Sequence, residues 1–165
     1  MSDSGLPHIH RRRLLTVAGA AIFASHTGLG KAAAQAPAPA STVTSQFTAA
    51  RAAILAGREA RSGRVTLDVP RLAESGNSVS LEVTVAGPMT PADRVTTLHI
   101  LAEQNPVAII ARFRFGPRSG PARIATNIRV ATTQNIHAIA EMNDGSVWTA
   151  SSEVVVLIAA CLDGA

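Results

Sequence analysis

One cysteine, Cys161, stands four residues before the end of the chain, just past the run Val154, Val155, Val156, Leu157 and Ile158. A thiol attacks only as its thiolate, and most thiol enzymes hold a base, a cation or a second thiol beside it. The flanking residues Ala159, Ala160, Leu162, Asp163 and Gly164 supply none of these. With no second cysteine there is no internal disulfide and no resolving thiol, so disulfide exchange and two-cysteine peroxidase chemistry are excluded. The thiol is then buried and inert, paired with another chain, or chemically used. A structural cysteine normally sits inside an element as a small hydrophobe, and one placed past the last strand is presented instead. Residues 159–165 span about 23 Å when extended, at ~3.3 Å per residue. That suits an arm carrying a covalent adduct into another protein's cleft while the body docks outside.

Metal chemistry is the other use for these residue types. His99 in "TTLHILAE" and His137 in "QNIHAIAE" lie in strand contexts, far apart in sequence from each other and from Cys161. Their spacing matches no zinc or copper ligand pattern, and a lone histidine in a strand is ordinarily a packed or surface residue. No metal site and no cofactor is expected. In "VAIIARFRFGP" the alternation puts Ala111, Phe113 and Phe115 on one face and Arg112 and Arg114 on the other. This reads as a strand with a solvated arginine face, or else as an anion-attracting stripe that Arg123 and Arg129 extend.

The elements that position these residues read mostly as short strands. In "SVSLEVTV" Val79, Leu81, Val83 and Val85 alternate with Ser80, Glu82 and Thr84, the pattern of a half-buried strand. "RVTLD", "VTTLHIL", "VAIIARFRF", "ARIATNIRV", "NIHAIAEM" and "VWTASSEVVVLI" follow the same logic, separated by Gly-, Pro- and Asn-rich turns. The Val154–Ile158 run reads as a buried final strand, and "NDG" favours a type I′ hairpin turn. Before them, 46–61 ("QFTAARAAILAGREAR") forms one amphipathic helix with Phe47, Ala50, Ile54 and Leu55 on one side, covering a sheet edge or the open end of the fold. The expected class is all-β: an immunoglobulin-like antiparallel β-sandwich preceded by one N-terminal helix, over 46–158.

Residues 1–36 read as an export leader, with Arg11 and Arg12 followed by Arg13, Leu14 and Leu15, a weakly apolar Ala/Gly stretch, and small residues for cleavage after Ala34 or Ala36. The paired arginines match the twin-arginine signal, so the expected location is the periplasm, with no stable membrane insertion. The Pro, Ala and Ser residues of 37–45 are expected to form an extended linker. The leader takes four of the 15 basic residues (Arg11, Arg12, Arg13, Lys31) and one of the 11 acidic ones (Asp3), leaving 11 and 10, a net +1. The sequence pI near 10.9 therefore reports mainly the leader, and no basic patch remains for nucleic acid.

Taken together, "AESGNSVSLEVTV", "GPMTPADRV", "AEQNPVAIIARFRFGP", "IRVATTQNIHAIAEMNDGS" and the final strand with its cysteine resemble the SoxY family, over Pro70 to Cys161. The resemblance implies a sandwich paired with a SoxZ-like subunit, in which Cys161 is the covalent sulfur attachment point. It further implies that a haem-containing loading protein couples thiosulfate to that cysteine and that a manganese hydrolase then releases sulfate. On this reading the chain is a carrier and not an enzyme, and the "GPMT" and "EMNDG" turns are structural. The family's arm is typically of "GGCGG" type. Here Ala159 and Ala160 precede the cysteine and Leu162, Asp163 and Gly164 follow, with less backbone freedom and a negative charge that opposes thiolate formation. The rival reading is an immunoglobulin-like interaction module whose cysteine is incidental or forms a dimer.

Overall fold

The computed structural model describes residues 40–160. Residues 1–39, with Arg11 and Arg12 of the expected leader, and the residues from Cys161 onward lie outside them. One helix, α1 (Ala40–Leu55), is followed by nine strands: β1 (Ala60–Arg61), β2 (Val65–Asp68), β3 (Leu72–Ser75), β4 (Val79–Val85), β5 (Val95–Ala102), β6 (Ile109–Arg114), β7 (Arg123–Ile128), β8 (Gln134–Met142) and β9 (Val147–Ile158). Among the described residues no helix is long and apolar enough to cross a membrane.

The helix differs from the expected 46–61 at both ends, and residues 40–45 of the expected linker belong to it. Residues 40–45 (ASTVTS) are mostly Ser, Thr and Val, of modest helix propensity, so their composition does not announce them as helix. At the far end Ala56 and Gly57 take positive φ of 48° and 78° and turn the chain out of the helix. Arg58 then caps it: Nε donates to Leu55 O at 2.9 Å and a terminal nitrogen donates to Ile54 O at 2.6 Å.

Two sheets face each other. The larger has the order β1-β9-β8-β5-β6 with β3 also on β9, and the smaller is β2-β4-β7. The alternation expected of 79–85 is present: Val79, Leu81, Val83 and Val85 are all buried, packed in one core with Leu98, Ile100, Ile136, Ala138 and Val154 of the larger sheet. The sandwich is therefore as expected, with one addition. β1 and β3 pair with β9 in parallel, while every other pairing is antiparallel. Both are short, and both are fixed by the long β9 beside them more than by any pattern of their own.

The helix covers neither an edge nor an open end. It lies on the outer face of the larger sheet, where Ile54 packs with Leu101, Ile139 and Val147 in a second buried cluster bordered by Phe47, Ala50, Leu55 and Ile109. The β8–β9 turn also differs from expectation. Only Gly145 has positive φ, at 83°, and Gly145 N donates to Met142 O at 3.1 Å while Met142 N donates to Ser146 O at 2.9 Å. That is a three-residue loop ending in a left-handed glycine, not the two-residue type I′ turn, which needs positive φ at both central positions. Asp144 holds the loop by accepting from Ser146 N at 2.8 Å and Ser146 Oγ at 2.7 Å. Those bonds keep its carboxyl below the usual aspartate range.

Candidate functional site

The chain leaves the sandwich at the end where β9 stops, and two buried amides organise that end. Asn105, in the β5–β6 loop, accepts on Oδ1 from Ala131 N and from Gln134 Nε2, both at 2.9 Å, and donates Nδ2 to Arg129 O at 2.9 Å. Gln134 accepts on Oε1 from Gln104 N at 2.6 Å and donates Nε2 also to Thr132 O at 3.1 Å. Because buried amides are stable only when satisfied, these bonds tie the β5–β6 and β7–β8 loops together.

The root of the arm is clamped against this frame. Val155 N donates to Arg71 O at 2.9 Å and Val156 N, on the other edge of β9, donates to Thr133 Oγ1 at 3.0 Å. Gly76, in the β3–β4 turn, donates its N–H to Ile158 O at 2.8 Å and accepts on its carbonyl from Val130 N at 2.8 Å. A Cβ on Gly76 would lie 2.0 Å from Val130 O and 3.0 Å from Ala160 N. The chain thus passes directly over a residue with no side chain, and Ala160 is half-buried there while Ala159 is exposed. Cys161, Leu162, Asp163 and Gly164 come next and lie outside the described residues.

The expectation that Val154–Ile158 is a buried strand is corrected. Only Val154 is fully enclosed; Val155, Leu157 and Ile158 are 38%, 65% and 65% exposed. β8 pairs with β9 only up to Val154; beyond it Val156 still packs on the core, while Leu157 and Ile158 overhang the sandwich, held by β3. Leu72, opposite Val155 on β3, is also exposed, at 57%.

A second polar cluster escaped the sequence reading. Under α1, Glu141 accepts from Arg58 at 2.6 Å and is 2.8 Å from His99 Nε2, while Arg112 Nε donates to His99 Nδ1 at 3.2 Å. An imidazole nitrogen that accepts from a guanidinium carries no proton, so the geometry assigns the Nε2–H tautomer to His99, donating to Glu141. Burial pushes the Glu141 carboxyl up, but the hydrogen bonds from Arg58 and His99 outweigh it and hold the group below the usual carboxylate range. Its stabilising contribution is therefore complete above the unfolded-state value of about 4.3 and is lost as pH falls through the lower folded-state value. Glu141→Gln is expected to cost about 1 kcal/mol at neutral pH, given the partly exposed pair, and to flatten the acid limb of the stability curve below about pH 5. Urea titrations of both proteins between about pH 3 and 7 check this.

The arginine stripe is not continuous. Arg112 and Arg114 project from the outer face of β6 as expected, but Arg112 is engaged with His99. Arg123 stands on the smaller sheet, where it makes two bonds to Glu82 at 2.9 and 2.8 Å that hold Glu82 below the usual range. Arg129 sits in the loop at the arm end. His137 is 2.8 Å from Glu103 and stacks near Phe47 at 4.8 Å, so each histidine of this domain is a packed, hydrogen-bonded residue. Among the described residues no three His, Cys, Asp or Glu side chains come together as a metal site.

Comparison with known proteins bears on this geometry. No curated protein sequence matches the chain. Among solved structures, the sulfur carrier protein SoxY from Chlorobium limicola f thiosulfatophilum is similar over 70% of this chain and 96% of its own, with 24% identity and a TM-score of 0.58. A superoxide reductase (neelaredoxin) from Ignicoccus hospitalis is similar over 57% of this chain and 80% of its own, with 18% identity and a TM-score of 0.50. At these identities both likenesses are of fold. The family model for the sulfur oxidation protein SoxY matches residues 51–161, from within α1, through every strand, and up to the single cysteine itself. The chain belongs to the SoxY family.

Proposed function

We propose that this protein is a periplasmic sulfur carrier of sulfur oxidation that holds thiosulfate-derived sulfur on Cys161 and works as a heterodimer with a SoxZ-like subunit. The observation that carries this reading is where the family match ends: it runs to Cys161, three residues past Ile158, whose carbonyl accepts from Gly76 N. The twin-arginine leader supports export of a domain already folded. The solved SoxY of similar fold is described as a sulfur carrier.

Loading is an oxidation. The Cys161 sulfur bonds to the outer sulfur of thiosulfate, the thiol proton leaves, and two electrons pass to a haem-containing partner. Water then adds to the sulfonate sulfur at a manganese hydrolase, releasing sulfate and two protons and leaving a persulfide on Cys161. The chain's part is to present the sulfur; the chemistry belongs to its partners. The test is the intact mass of the mature protein after exposure to thiosulfate with the haem-containing partner. One added thiosulfate per chain is expected. A reducible homodimer that ignores thiosulfate would overturn the reading in favour of an interaction module.

A further inference from the structure

The clamp at Gly76 limits how far the thiol can travel. Ile158 O is held by Gly76 N of the β3–β4 turn and the Ala160 backbone passes close by that glycine, so Cys161 follows three residues after the anchored carbonyl, a span of about 10 Å when fully extended. The 23 Å available to residues 159–165 lies mostly beyond the cysteine. A protein that reaches the sulfur must therefore approach to within about 10 Å of the sandwich and cover the surface around the root.

That surface is apolar. Leu72, Val155 and Leu157 lie together on one face through the β3–β9 pairing, and Ile158 points to the other side of the same overhang. Around them stand the exposed charges Arg71, Glu74 and Glu153, so the patch has the apolar centre and polar rim of a protein interface. The four residues after Cys161 hold one bulky apolar side chain, Leu162, too little to cover both sides of the overhang. Resting on the carrier reading, we propose that Leu72, Val155, Leu157 and Ile158 form the docking collar for the protein that makes the bond at Cys161. That partner meets them with an apolar rim around a shallow reaction cleft.

The experiment uses the full mature chain in complex with its SoxZ-like subunit, as parent and with Leu157→Glu, Leu72→Glu and the conservative Leu157→Met; a glutamate variant that no longer binds that subunit would make the patch the heterodimer interface and overturn the collar. Both leucines are solvent-exposed, and unchanged melting temperatures establish that the variants fold. Tetrathionate serves as a partner-free probe: the Cys161 thiolate attacks a central sulfur, forming the thiosulfate adduct and expelling thiosulfate. Loading from thiosulfate by a haem-containing thiosulfate-oxidising protein is the second readout. The collar predicts that the glutamate variants react with tetrathionate like the parent but are loaded by the protein about tenfold or more slowly, the scale of a lost interface anchor, with Leu157→Met close to the parent. Equal loading of parent and glutamate variants overturns it. So does parallel slowing of both reactions, which makes the patch a determinant of the arm alone, or a parent dimer that the variants render monomeric, which makes it a self-association surface. A parent that reacts with tetrathionate but is never loaded by the protein defeats the carrier reading instead, and is recognised because no variant is needed to see it.

Discussion

Cys161→Ser is expected to abolish covalent sulfur uptake completely while leaving folding unchanged. The chain has one cysteine, so there is no second thiol to give residual loading. A serine hydroxyl is not ionised at neutral pH and forms no sulfur–sulfur bond, so neither the oxidative route from thiosulfate nor exchange with tetrathionate has a substitute nucleophile. Stability should not move, because residue 161 follows the last strand, which ends at Ile158, and the exchange replaces a thiol with a hydroxyl of similar size. Intact mass gives the first half of the result and a thermal melt the second. A serine variant that still gained thiosulfate would place the attachment on another group, and one that failed to fold would make Cys161 a structural residue.

The sandwich was legible where burial alternates cleanly. Val79, Leu81, Val83 and Val85, or Ile136, Ala138 and Ala140, declare their strands because one face must be dry. β1 and β3 were not legible, because two and four residues carry no period and their extended form follows from β9 beside them. The Val154–Ile158 run shows the opposite failure: its composition asks for burial, but burial depends on what stands opposite, and β8 has ended by then. The Glu141 cluster joins residues 83 and 42 positions apart, a separation at which no local spacing signals contact. The thiol's place past the last strand was visible from composition and position alone. Its clamp was not, because Gly76 in "ESGNS" looks like any turn glycine until the chain crossing it is known.

That crossing makes Gly76→Ala the most damaging single-methyl addition in the arm end. Gly76 does not need glycine for its backbone angles; it is absent from the positive-φ positions. The obstacle is backbone on backbone: the new Cβ would sit 2.0 Å from Val130 O, a contact no side-chain rotation relieves. To make room, either the β7–β8 loop at Val130 or the β3–β4 turn must shift. That puts at risk the bonds from Gly76 N to Ile158 O and from Val130 N to Gly76 O. Overpacking together with weakened buried hydrogen bonds makes the expected cost about 3 kcal/mol, read as a lower urea midpoint with an unchanged slope. Gly120→Ala is the matched control, since nothing lies within 4 Å of its added Cβ, and its midpoint should stay within experimental scatter of the parent. Where Gly76→Ala remains folded in the absence of urea, loss of the bond to Ile158 O should let the chain leading to Cys161 wander. Tetrathionate would then react as before, while loading by a protein that needs the sulfur at a fixed place beside the collar would slow. A Gly76→Ala protein as stable as the parent and loaded at the same rate would show that the arm is not clamped at its root, and the short reach inferred for Cys161 would fall with it.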